Sequence, residues 1–269
     1  MSEMKVAGTI DASPYDEAGY KRRRKRKLLK KLRRKIFPYK LVRRTPPPIA
    51  TKDEYESYVP KIPLEFSQLP RAEHGLYKLI SDCDFKTVLD VGSGSGKHAE
   101  VLHRHKKVVT ALDFGVSLHA SDGVDESSWK KIVGNFYDFQ VPEKFDCVWA
   151  SHVLEHQPDP GAFIRRCREL VKEDGYIAIT VPPLKHIIVG GHLTLWNAGL
   201  LLYQLVFNGI DCKDAAILTY GYNITIIVQN KPRADMHLDW DYGDIKRLKP
   251  YFPEFIKEPF EGQISRWNW

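Results

Sequence analysis

An α/β fold built on a mostly parallel sheet follows from three observations. From Lys86 onward, short β-branched or apolar runs alternate with stretches of helical spacing, as in strands joined by crossover helices. One run, Thr87-Val-Leu-Asp-Val91, leads into glycines at 92, 94 and 96 and then into a helical stretch. Near the far end, Ala215–Tyr222 and Asn223–Gln229 read as two strands joined by a tight turn at Gly221–Asn223. The expected architecture is a seven-stranded, mostly parallel sheet with helices on both faces and a terminal antiparallel hairpin.

In chain order, residues 1–50 form a basic leader, disordered or amphipathic. Within it, Lys21–Arg44 carries 15 basic residues in 24, and Leu28, Leu29, Leu32, Ile36 and Phe37 lie near helical spacing. Residues 51–74 are a proline-containing lead-in, and Ala72–Ser81 is expected to be a helix with Leu76, Leu79 and Ile80 inward. Residues 75–230 form the main domain. Its other parallel strands are expected at Val108–Asp113, Lys131–Val133, Phe145–Ser151 and Tyr176–Val181. Helices are expected at about 97–105, 115–121 and 160–171, with Asp174-Gly175 ending the last. Thr194–Asn208 reads as a helix before the hairpin. Residues 231–269, rich in Trp, Tyr and Phe, read as an extension packing on the core.

Composition narrows the function classes. A hydrophobic content of 43% is ordinary for a chain with a real core. The four cysteines, at 83, 147, 167 and 212, have neither zinc-site nor disulfide spacing, and a reducing, cytoplasmic setting is expected. Basic residues stand near the N-terminus without an apolar core and cleavage site, so no signal peptide is expected. The longest apolar run, Ala198–Phe207, is short of the roughly 20 residues a bilayer span needs. The net charge of +7 hides an asymmetry, because residues 1–50 hold 16 Lys and Arg against 4 Asp and Glu. The rest of the chain is net acidic.

The glycine turn carries the ligand chemistry. Glycines let a ligand lie against the backbone, and the helix N-terminus behind them offers free N–H groups. A dinucleotide fingerprint needs its third glycine where this chain has Lys97. Asp90, two residues before Gly92, would repel a pyrophosphate and suits a ligand with a positive ammonium and sulfonium. In Asp90-x-Gly92-x-Gly94-x-Gly96 the chain resembles the class I S-adenosylmethionine-dependent methyltransferases. The terminal hairpin resembles the antiparallel insertion of that Rossmann-like fold, and Phe145–His156 resembles the His-Val-Leu-Glu-His segment of its small-molecule and bacterial glycan members.

The resemblance implies S-adenosylmethionine as cofactor, held by Asp90, Gly92, Ser93, Gly94, Gly96, Asp113, Phe114, Asn135, Phe136 and Ser151. Asp113 would take both ribose hydroxyls and Phe114 would lie against adenine or in the core. The adenine amine would meet Asn135 or Asp138. A hydroxyl acceptor needs a base, and His192, His152, His156 and His186 are the candidates, His192 first. Gly190-Gly191-His192-Leu-Thr suits a close-fitting lid. A metal site from His156, Asp159 and His186 is conceivable, yet the spacing does not demand one, and no metal is expected.

The expected acceptor is a sugar hydroxyl of a cell-surface glycan or lipid-linked intermediate. The alternatives are an RNA or protein acceptor reached through the leader, or a binding protein without turnover. Lys21–Arg44 is expected to dock on an anionic membrane surface, giving a cytoplasmic or peripheral location, with nucleic acid the weaker partner.

Overall fold

The computed structural model describes residues 59–115, 129–257, 260 and 262–269. The basic leader, the lead-in up to residue 58 and nearly all of the helix expected at 115–121 lie outside the described residues. Helices α1 (Leu64–Ser67) and α2 (Glu73–Asp82) precede β1 (Thr87–Val91), and α3 (Lys97–Arg104) links it to β2 (Val108–Asp113). Then follow β3 (Lys130–Val133), β4 (Phe145–Ser151), a 3-10 turn at Leu154–His156, α4 (Pro160–Leu170) and β5 (Val171–Val181). The chain continues through α5 (Ala198–Phe207), the hairpin of β6 (Ala216–Tyr220) and β7 (Asn223–Gln229), α6 (Asp244–Leu248) and β8 (Arg266–Trp267).

The sheet order is β3-β2-β1-β4-β5-β7-β6-β8. The first five strands in that order are parallel to one another, and β7 enters antiparallel between β5 and β6. Alternate residues go to opposite faces, as the pleat requires. Leu89, Val148, Ile177 and Ile226 meet α4 and α5 on one face. Val88, Trp149, Ala178 and Ile227 meet α2 and α3 on the other. Both faces of the central strands are therefore buried, which is why those strands read as continuous apolar runs.

Three expectations change. The described residues form eight strands and not seven, because Arg266–Trp267 in the aromatic extension pairs with β6. A two-residue strand has no alternation to read, and Trp267 is held by a ring contact with Phe255 at 4.3 Å. Second, the helix from Pro160 stops at Leu170, and Asp174-Gly175 lies inside β5 instead of ending it. Val171 is fully buried and pairs with Phe145, while Asp174 adopts φ 59° next to a shift in register. Third, the helix read from Thr194 begins at Ala198, since the Asn197 side chain accepts the Leu200 N–H at 2.7 Å and caps it there. Among the described residues no helix is long and apolar enough to cross a membrane.

Candidate active site

The parallel strands β1, β2 and β4 end together, and their carboxyl ends bring the site residues to one edge, where ligands of open α/β sheets bind. Gly92, Gly94 and Gly96 all have positive φ, at 69°, 52° and 81°. Gly92 could not be replaced freely, because a Cβ there would collide with the Val153 side chain beyond β4. The turn is fastened to β2, whose Leu112 carbonyl accepts the Gly92 N–H at 2.8 Å. Gly96 caps α3 with no side-chain hydrogen bond, so the first-turn N–H groups have no side-chain cap.

Two carboxylates frame this turn. Asp113 accepts Gly94 N–H at Oδ2, 2.9 Å, and Gly115 N–H at Oδ1, 2.8 Å. With one donor on each oxygen, a lone pair on each stays available for a pair of hydroxyls. Asp90 is buried and its Oδ2 has no hydrogen-bond partner. Burial, and then the neighbouring Asp113 charge, push its carboxyl up to about 7. A buried acceptor without a donor, beside a ribose-type clamp and a glycine turn, fits a cationic nucleoside ligand such as S-adenosylmethionine.

The other residues expected at the cofactor divide. Ser93 is partly buried in the turn, and Phe114 is 57% exposed beside Gly115, on the surface and not in the core. Asn135 is partly buried and its Oδ1 accepts the Tyr137 N–H, while Asp138 is exposed. Phe136 is a core residue, packed on Phe163 with ring centroids 4.8 Å apart, because the following turn directs it inward. Ser151, the last residue of β4, holds a buried Oγ without a partner at the site edge. His98, on the first turn of α3, was not among the expected residues. Trp149 Nε1–H donates to its Nδ1 at 3.2 Å, so its Nε2–H donates to the Arg71 carbonyl at 3.0 Å. Desolvation holds it at about 4, a neutral imidazole behind the glycine turn.

His152 leaves β4 at φ 56°, a conformation that costs a non-glycine residue of order 1 kcal/mol. The twist turns its ring toward Asn223 at the start of β7. Asn223 Oδ1 accepts the Ala72 N–H at 3.1 Å, which identifies it as the oxygen, so His152 Nε2–H must be the donor in their 2.9 Å contact. Nδ1 of His152 faces Glu155 Oε1 at 3.2 Å. Nε2–H of His152 is thus committed to Asn223, while Nδ1 stands against Glu155 without a hydrogen bond.

Glu155 is completely buried, and neither of its carboxylate oxygens has a hydrogen bond; the His152 contact is of ion-pair length without hydrogen-bond geometry. His156 Nδ1–H donates to the Gly191 carbonyl at 2.8 Å, which leaves the Nε2 lone pair free, 3.9 Å from Glu155 Oε1. The loop after β5 brings His192 to the same place. Its ends are joined where Leu184 N–H donates to the Trp196 carbonyl, and its return arm is fastened where Leu193 and Thr194 N–H donate to the Glu155 carbonyl. The His156 and His192 rings stand perpendicular, 5.0 Å apart. Burial and then the neighbouring His156 and His152, against the pull of Glu155, leave the His192 imidazole below its ordinary range.

Glu155, His156 and His192 each present one ligand atom, all within 4.8 Å of one another, so this trio could hold a metal ion. The trio differs from the conceivable set of His156, Asp159 and His186. Asp159 caps α4 through the Ala162 N–H at 2.8 Å, and His186 is exposed outside the cluster. Neither Glu155 nor Asn223 is among the site residues expected from the sequence. The signal for Glu155 was its place between two histidines in His152-Val-Leu-Glu-His156; for Asn223 there was none.

A family profile described as a methyltransferase domain matches residues 20–254, most of the chain. The ubiquinone biosynthesis O-methyltransferase of Pseudomonas entomophila is 34% identical over 98 residues, covering 34% of this chain and 42% of that protein. The enzyme of the same name from Serratia proteamaculans is 38% identical over 99 residues, covering 34% and 41%. The chain thus spans about two-fifths of the length of the curated relatives it matches. Among solved structures, human N-acetylserotonin methyltransferase in complex with S-adenosylmethionine is 17% identical with a TM-score of 0.48, covering 60% of this chain and 53% of that one. With the glycine turn, both aspartates and the inserted hairpin in place, the chain belongs to the methyltransferase-domain family.

Proposed function

We propose that this methyltransferase methylates an oxygen, a sugar hydroxyl of a cell-surface glycan or its lipid-linked intermediate. The observation that carries the oxygen is the cluster of Glu155, His156 and His192, which puts an available imidazole nitrogen on the segment after β4, whose Val153 side chain lies against Gly92 of the glycine turn. S-adenosylmethionine, when bound, supplies a methyl group on a positively charged sulfur. Asp90 and Asp113 would hold the charged and hydroxyl parts of that molecule. His192 and His156 lie where an acceptor hydroxyl arrives, and they lower the cost of removing its proton. The O-methyl transfer named for the curated relatives supports an oxygen acceptor.

Two features support a lipid-linked acceptor. The tip of the loop that carries His192 exposes Ile187 and Ile188, at 77% and 92%. The Lys21–Arg44 stretch adds a basic run interspersed with Leu28, Leu29, Leu32, Ile36 and Phe37, a composition suited to an anionic bilayer surface. The test is incubation of the full-length protein with methyl-labelled S-adenosylmethionine and separated cell fractions. Label in a glycan or lipid-glycan fraction, in an alkali-stable ether, supports the reading. Label in RNA or protein alone overturns it.

A further inference from the structure

We propose that Glu155, His156 and His192 form a binding site for a divalent transition-metal ion, of the manganese, cobalt or zinc type, with coordination positions left open toward the acceptor. This deepens the reading of the same site, and rests on it only for what the ion would do in turnover. The binding itself stands on three independent observations.

The first is the state of Glu155. A carboxylate with no exposed surface and no hydrogen bond to either oxygen is costly to bury, and native proteins rarely leave one so. His152 approaches one oxygen at 3.2 Å without hydrogen-bond geometry, and nothing serves the other. A cation between Glu155 and the imidazoles of His156 and His192 would complete the environment.

The second is the state of the imidazoles. A histidine ligand needs one nitrogen bare and its tautomer fixed from behind, usually by a carbonyl or carboxylate. His156 has that arrangement: Gly191 C=O holds Nδ1–H at 2.8 Å, and Nε2 is bare on the side of Glu155. A side chain at Gly191, whose φ is 82°, would press on the His156 ring at Nδ1, so the close approach of this carbonyl depends on glycine.

The third is the convergence of separate elements. Glu155 and His156 come from the turn after β4, and His192 comes from the loop after β5. The Glu155 carbonyl ties that loop down by two N–H donors, at 2.8 and 3.2 Å. The three ligand atoms lie within 4.8 Å of each other. Ligands on one ion at about 2.0–2.2 Å stand roughly 3–3.5 Å apart, so closure takes about 1–2 Å, within reach of side-chain rotation of the partly exposed His192.

The ligand types choose the ion. Two imidazoles and one carboxylate suit manganese, cobalt or zinc, whereas magnesium and calcium favour all-oxygen sites. Three protein ligands leave open positions, the arrangement of a catalytic and not a structural site. A hydroxyl bound there would lose its proton more readily than in water.

The test uses tag-free full-length protein, without cofactor or acceptor. Equilibrium dialysis against cobalt(II) or manganese(II) chloride measures retained metal, and the visible absorption of cobalt reports its nitrogen ligands. One equivalent per chain is expected. His192→Ala and His156→Ala, both at partly exposed or exposed positions, should each weaken it more than tenfold, and Glu155→Gln likewise. His103→Ala, on the exposed side of α3, should leave it unchanged. Equal retention by the wild type and by both histidine variants overturns the proposal, as does displacement of cobalt by an equal concentration of magnesium. Because no methyl transfer is measured, failure to find a hydroxyl acceptor leaves this result untouched, and failure to bind metal leaves the oxygen-acceptor reading open to its own assay.

Discussion

The carboxylate of Asp113 accepts the backbone N–H of Gly94 at 2.9 Å, so the end of β2 sets the conformation of the turn that follows β1. One side chain therefore does two things: it shapes the glycine turn and keeps lone pairs for a ligand. Asp113→Ala should weaken S-adenosylmethionine binding by about 1–3 kcal/mol, the cost of unpaired polar groups at the turn and on the ligand. Calorimetry with S-adenosylmethionine, its demethylated product and NAD checks this. The first two should bind wild-type protein and NAD should not; undiminished affinity in the variant would remove Asp113 from the site.

Asp90 predicts a pH dependence with a definite sign. Its folded carboxyl, at about 7, lies above the ordinary 3.8, first through burial and then through Asp113. Between those values the folded protein keeps a proton that the unfolded chain has released. Stability of the ligand-free protein should therefore fall as pH rises from about 4 to 7, by up to about 1.4 kcal/mol per pH unit. A cationic ligand favours the ionised form, so its binding near pH 6.5 should release protons. Titrations in phosphate and in imidazole buffer should give different heats, and Asp90→Asn should abolish the difference. Identical heats for the wild type would contradict the assignment.

His192→Ala should lower turnover by about 10²-fold or more and leave cofactor affinity nearly unchanged. The same loss is expected for His156→Ala, since the two rings stand 5.0 Å apart on one opening. His186→Ala, outside the cluster, should be close to wild type. Single-turnover rates with a labelled methyl donor make the comparison. A silent His192 variant would shift proton removal to another group.

Gly92→Ala should destabilise the fold by roughly 1–3 kcal/mol, because φ 69° is unfavourable for alanine and the new methyl meets Val153. The measurement is urea unfolding of both proteins. An unchanged midpoint would mean that the turn can relax away from the segment after β4.

The parts legible in the sequence are those whose signals are local. Thr87–Val91 with its three glycines announces a strand and a turn within ten residues, and β1, β2, β4 and β7 fall where their apolar runs end. His156 and His192 were visible as titratable groups near the right edge. Their grouping was not, because it depends on two N–H bonds from Leu193 and Thr194 to a carbonyl nearly 40 residues earlier. The orientation of the His152 ring depends on Asn223, which no periodicity links to it. Phe114, readable as lying against adenine or in the core, is exposed, and Phe136, expected at the cofactor, packs on Phe163 instead, because no local pattern shows the turn around Asn135. β8 is too short for any pattern to show.

The insertion of β7 between β5 and β6 orders events during translation. His152 leaves the ribosome 71 residues ahead of Asn223, the group that orients its ring. A nascent chain that ends within α5 has the glycine turn and all five parallel strands, yet β5 still presents a bare edge and His152 has no anchor. The strands that carry the glycine turn are thus complete early on the growing polypeptide, while the edge of β5 and the ring of His152 find their partners only when the last hairpin threads into its slot. A stall or truncation before residue 223 leaves a chain with the glycine turn and its five parallel strands but without the side chain that orients His152.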